Sequence, residues 1–172
     1  MNANAHPIQS IIDQHAEEAA FLWLLRDAAV FAPHYSLKDL AHLDDRVEAH
    51  LDGLRIAGEA GWAACAAALE QDEPGEVFVA AVLAFTSGDG KRIDAVASAG
   101  SSSAENDLGL ISALGWLEYA QIEGIVNHLP SANSPLYRRI AIAVTAIHRR
   151  DLGPALATAV EGADLCCSGH EH

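Results

Sequence analysis

The second half of the chain repeats itself. Val82-Leu83-Ala84-Phe85 followed by Ile93-Asp94-Ala95-Val96 can be laid over Ala113-Leu114-Gly115-Trp116 followed by Ile122-Glu123-Gly124-Ile125. A third copy is Ala143-Val144-Thr145-Ala146 followed by Leu152-Gly153-Pro154-Ala155, and the first halves are offset by 31 and 30 residues. Each unit reads as an apolar helix, a short polar turn, a second apolar helix and a small-residue linker. Those linkers are Gly100 to Ser103, Pro130 to Pro135 and Gly162 to Asp164. A unit of this size cannot cover its own apolar face, so neighbours must stack. Composition agrees with helix: 34 alanines stand against 10 aromatics and 9 valines. Alanine loses least on entering a helix, whereas strands want β-branched and aromatic side chains.

The first half also reads as helix after helix. Ser10 is placed to cap a segment running to about Val30, with Ile11, Ile12, His15, Ala19, Leu22 and Leu25 at helical spacing. Ala32-Pro33 ends it, because the residue before proline is pushed out of the helical region. Ser36, three residues before Asp39, starts a second helix with a capping arrangement. Its apolar stripe is Leu37, Leu40, Leu43, Val47, Leu51 and Leu54, and Gly58 closes it. A third helix spans Glu59 to Gln71, and Asp72-Glu73-Pro74-Gly75 marks the main internal boundary. The expected organisation is therefore an N-terminal helical region over 1–75, repeats over 76–165 and a flexible tail over 166–172. The fold class is all-α: a right-handed α-solenoid of helical hairpins with an N-terminal helical cap. Leu152 to Leu165 has no polar capping helix after it, so that end is a truncation point or a place where copies associate.

Charge narrows the function. Ten Lys and Arg against 24 Asp and Glu give a net charge of -14, which repels phosphate backbones and argues against nucleic acid as partner. The field is concentrated in the first 76 residues, where 14 acidic and 4 basic side chains leave a balance of -10. No apolar run reaches the roughly 18 residues of a spanning helix. Met1 to Pro7 lacks the basic flank and apolar stretch of a secretory signal, so no membrane role and a cytoplasmic location are expected. Cys65, Cys166 and Cys167 suggest no disulfide framework.

Ala113-Leu114-Gly115-Trp116-Leu117, leading to Ile122 and Leu129, resembles the helix-turn-helix of HEAT-like repeats, particularly the short kind of phycobilisome lyases. Ala143 to Val160, with Asp151 at the turn and Pro154 opening the next helix, is similar to the same unit. Val77 to Gly100 departs from it by an insertion at Gly88-Asp89-Gly90. The N-terminal stretches His15 to Trp23, His34 to Leu40, Asp44 to Gly53 and Gly58 to Trp62 resemble an uncharacterised bacterial family of HEAT-like proteins associated with type VI secretion clusters. That resemblance implies an accessory or protective role and supplies no catalytic residue.

Reactive groups form no recognisable site. Cys166-Cys167-Ser168-Gly169-His170-Glu171-His172 holds good metal donors, but all on one chain end, so no metal is assigned. His42 lies one turn from Asp45 and two turns from His50, without any His-Glu-x-x-His spacing. His148 sits beside Arg149 and Arg150 at a repeat turn. Gly88-Asp89-Gly90-Lys91 lacks phosphate-loop spacing and reads as a turn; Ser101-Ser102-Ser103 reads as a linker with a helix cap. Cys65 reads as a small buried hydrophobe. No catalytic residue and no cofactor are expected.

Two charged features remain. Asp45, Glu48 and Asp52 form an acidic ridge on the second helix, which is either a solvated face or a partner-binding surface. Arg138, Arg139, Arg149 and Arg150 form two small basic sites at the ends of the third repeat's first helix. The leading expectation is a non-catalytic protein-protein interaction module, either an adaptor holding a secreted effector or an immunity-type inhibitor of a basic toxin. The competing expectation is a repeat-fold enzyme or lyase-like ligand carrier, which needs a pocket lined by converging polar groups.

Overall fold

A computed structural model describes residues 5–126 and 135–150, and all regular structure among them is helical. The chain divides into two compact units, Met1–Trp116 and Leu117–His172. The first contains α1 (Ala5–Val30), α2 (Leu37–Ala57), α3 (Glu59–Ala68, followed by a 3-10 turn over Leu69–Gln71), α4 (Pro74–Ser87), α5 (Gly90–Gly100) and α6 (Ala104–Trp116). The second contains α7 (Tyr119–Val126) and α8 (Pro135–Ile147). The tail at 166–172, the stretch from Leu152 to Leu165 and most of the Pro130 to Pro135 linker lie outside the described residues.

The first unit is built around α4. Every residue from Val77 to Phe85 is buried, so this helix is apolar all round and has no face for water. Pro74 occupies its first turn, where a missing N–H costs nothing, and Gly88 ends it in the left-handed region at φ 69°. It is packed by α1, α2, α3, α5 and α6. Hence the Asp72-Glu73-Pro74-Gly75 loop, expected as the main boundary, runs inside one unit whose helices pack across it. Phe78 is the hub: Trp23 of α1 stacks on it at 4.9 Å between ring centres, and Trp116 of α6 meets it edge-on at 5.5 Å.

Small residues set the helix spacing. A Cβ on Gly61 would collide with the Leu54 carbonyl of α2, and one on Gly109 with the Pro74 carbonyl of α4. One on Gly75 would sit 2.9 Å from the Ala20 carbonyl of α1. At all three contacts the obstacle is backbone, which cannot swing aside as a side chain can.

Several local readings need correction. The first helix extends back to Ala5, so Ser10 lies within it and is not its cap. Ile11 is exposed; Ile12, Ala16, Ala19, Leu22 and Trp23 carry the buried face. On α2 the stripe is Leu43, Val47, Leu51 and Leu54, while Leu37 at the first helical position is 86 % exposed. Ser36 and Asp39 do form a reciprocal capping box. Those hydrogen bonds, first from the Ser36 hydroxyl and then from its backbone N–H, hold the Asp39 carboxyl below the usual range. The turns after α4 and after α6 fall where the repeat spacing places them.

In the second unit, Ile122 of α7 and Ile140, Ala141 and Val144 of α8 are buried. Arg150 lies over the Tyr119 ring at 5.1 Å, and His148 packs beside the same ring.

Candidate functional site

The acidic ridge is largely engaged within its own unit. Arg55, one turn beyond Asp52, donates from Nη1 to Glu48 Oε1 and, at 2.8 Å, to Asp52 Oδ1. Burial works against the charge of Arg55, but these two hydrogen bonds outweigh it and hold the guanidinium above its ordinary range. Glu48 also accepts from the Trp116 indole, Nε1 to Oε2 at 2.7 Å, and so ties α2 to α6. Of the three residues, Asp45 is the exposed carboxylate outside this network. The ridge is Glu48, which is tied to two partners, Asp52, which is bonded to Arg55 yet largely in water, and Asp45, which is exposed.

Histidine chemistry arises across helices. His15 of α1 and His50 of α2 bring their Nδ1 atoms to 3.0 Å. Their ring centres are 5.2 Å apart, close to the largest separation that such a contact permits, so both nitrogens lie near the line joining the rings. This is the geometry of one proton shared between two lone pairs, not of two lone pairs converging on a metal. Burial pushes His50 below the ordinary histidine range, with His15 and Arg46 acting the same way and Glu18 opposing them. No group of three or more His, Cys, Asp or Glu side chains suited to a metal occurs among the described residues.

The remaining candidates resolve as structure. Burial pushes the Cys65 thiol up to about 12, which removes the thiolate a nucleophile needs. Asp89 caps α5 by accepting from the backbone N–H of Lys91 and Arg92. Those bonds, the one from Arg92 first, hold its carboxyl low and fill the position a phosphate would take. Ser103 caps α6 by accepting from Asn106 N–H. Ser102 and the buried Asn106 both donate to the Asp72 carboxylate, which joins the loop before α4 to the loop before α6. Arg138 and Arg139 lie near the start of α8 and Arg149 and Arg150 just beyond its end, in the two groups expected.

Two surface features escaped the reading of the sequence. Phe21, Leu24 and Ala28 follow one another along α1 at spacings of three and four, Phe31 continues the row in the turn just after the helix, and all are exposed; Phe21 and Phe31 are 61 % and 85 % exposed. Asp13 and Glu17, also exposed, continue the same helical face toward the N-terminus. The signal was present as helical spacing, but α1 is apolar on two faces, and the inner one gave an adequate stripe. The second feature is a cleft of about 210 Å³ where the ends of α2 and α4 meet the starts of α3 and α5. No local motif announces it, because its residues come from four helices.

No described helix is long and apolar enough to cross a membrane. Family models, curated proteins and solved structures give no match to this chain.

Proposed function

We propose that the chain is a non-catalytic protein-interaction module, a cytoplasmic accessory protein of adaptor or immunity type in a bacterial secretion system. Its helical pairs belong, in this reading, to a HEAT-like solenoid, and its partner is a secreted effector or toxin with a basic docking segment. The observation that carries it is the outer face of α1 together with the turn that follows it. Phe21, Leu24 and Phe31 together leave about 350 Å² of apolar surface in water, the size of patch that is often functional on a small protein. The spacing of three and four from Phe21 through Leu24 to Ala28 suits a helix laid alongside, with Phe31 at the end of that row. Asp13 and Glu17 at one end select a partner helix that is basic where it meets them and apolar beyond.

Magnitudes show why both halves of that face are needed. Removing the apolar patch from water is worth roughly 9 kcal/mol before costs. Association itself costs about 4–15 kcal/mol, so the patch alone sustains weak binding at best. The carboxylates, and the wider field of a chain with net charge -14, supply on-rate and selectivity toward a basic surface. Asp45, and Asp52 two turns further along α2, add to that field, whereas Glu48 acts mainly by holding α2 and α6 together.

The test starts from affinity capture in a host with a type VI secretion cluster, followed by purification of the captured protein and direct titration. Phe21→Glu with Phe31→Glu should weaken the complex by about 100-fold or more, and raising salt should slow association. Asp45→Lys should have a smaller effect, mostly on the association rate. Unchanged affinity in the double phenylalanine variant would remove the basis for this reading.

A further inference from the structure

We propose that the cleft among α2, α3, α4 and α5 binds a small carboxylate bearing a compact apolar body, held between Arg55 and Arg92. This site is separate from the α1 face and does not rest on the protein-interaction reading. Leu54 and Leu83 are buried and form an apolar floor; Arg55, Glu59, Thr86, Ser87 and Arg92 stand around it.

The two guanidinium groups are held in place yet incompletely used. Arg55 commits both hydrogens of Nη1 to Glu48 and Asp52, which leaves three of the five N–H donors of a guanidinium. Arg92 donates once, from Nη2 to Glu59, and lies over the Trp62 ring at 5.1 Å. Four of its donors are left. Arg55 is fixed by Glu48 and Asp52, which lie outside the cleft, and Arg92 by Trp62 outside it and Glu59 on its rim, so little freedom is lost when a ligand takes the remaining donors. The Thr86 and Ser87 hydroxyls donate to the Val82 and Ala84 carbonyls, so the arginines are the side-chain donors that the cleft can offer.

Of the carboxylates already facing these arginines, Asp52 lies outside the cleft and Glu59 stands on its rim. Asp52 and Glu59 have side chains 61 % and 87 % exposed, so water solvates their charge, whereas those of Arg55 and Arg92 are 26 % and 18 % exposed. An incoming carboxylate over the apolar floor is the better desolvated partner, and Glu59 can swing outward to admit it. The cleft has the volume of about seven liquid water molecules. That admits one ring or one branched aliphatic group over the floor.

Benzoate and its neutral isostere benzamide are suitable probes, titrated into the full chain and followed by backbone amide NMR. Saturable benzoate shifts at residues 54–59 and 83–92 are expected, with benzamide at least 10-fold weaker. Arg92→Gln should weaken benzoate at least 10-fold. Thr86→Phe, which keeps both arginines but fills the rim, should abolish the shifts while the remaining amide spectrum stays folded. Equal binding of benzoate and benzamide would overturn the proposal. So would full benzoate affinity in either variant, shifts confined to other residues, or no saturable shift with benzoate in the millimolar range.

Discussion

Gly109→Ala puts the packing of α4 to a direct test, because two physical effects give it opposite signs. Helix propensity alone makes alanine the better residue within α6, by up to about 1 kcal/mol. The packing says otherwise. A Cβ at Gly109 would overlap the carbonyl oxygen of Pro74 and reach 3.1 Å from its carbon and 3.3 Å from its Cα. Those atoms begin α4, whose nine following residues from Val77 are buried on all sides, so α4 has nowhere to retreat. Overpacking typically costs about 1–3 kcal/mol, and a backbone obstacle places this site at the upper end. After the propensity gain, a net loss of about 2 kcal/mol is expected. For a unit of this size it lowers the melting midpoint by about 8 °C. Gly124→Ala is the control, since a Cβ at this helical glycine of α7 meets nothing within 4 Å. It should be neutral or slightly stabilising. Urea and thermal unfolding followed by circular dichroism read both variants. If Gly109→Ala is as stable as the parent, the close approach of α6 to α4 is not what holds the unit together.

Glu48→Ala should cost about 1–2 kcal/mol and shift tryptophan emission, whereas Glu48→Gln, which still accepts from Trp116 Nε1, should keep most of that emission. Burial of His50, with His15 beside it, makes stability fall in mild acid. His50 is held below its unfolded value, so its contribution is complete above about pH 6.5 and is lost as pH falls toward the depressed value. Urea midpoints from pH 7.5 to 5 should show this slope and lose part of it in His50→Gln. In a background with Cys166→Ser and Cys167→Ser, Cys65 should resist a thiol reagent at pH 8 until urea unfolds the first unit; rapid labelling of the native protein would contradict its burial.

What the sequence disclosed and what it hid follow from the range of each interaction. The capping box at Ser36 and Asp39, the stop before Pro33 and the core stripe from Leu43 to Leu54 are local and were legible. Leu37 shares the apolar spacing but sits at the first helical position, 86 % exposed, where no neighbouring helix covers it. The engagement of Asp52 by Arg55 could have been read from their spacing of three, but Glu48 meets Trp116 from 68 residues away. The spacing on α2 relates His50 only to His42 and Asp45, whereas its partner His15 comes from α1. The Arg55–Arg92 cleft required four helix ends to converge, which no periodicity encodes. The fully apolar run from Val77 to Phe85 carries no inside-outside alternation; only its place in the repeat identified it as a helix.

That run constrains how the molecule can be dissected or allowed to evolve. A cut in the Asp72–Gly75 loop, attractive on paper, would hand one fragment a naked greasy rod and leave the other hollow. Neither product could stay dispersed in water, because each would be sticky along the whole seam where the rod used to lie. Inserted domains, affinity tags and permuted termini therefore belong at the rim, and never across the axle on which the other five helices are mounted.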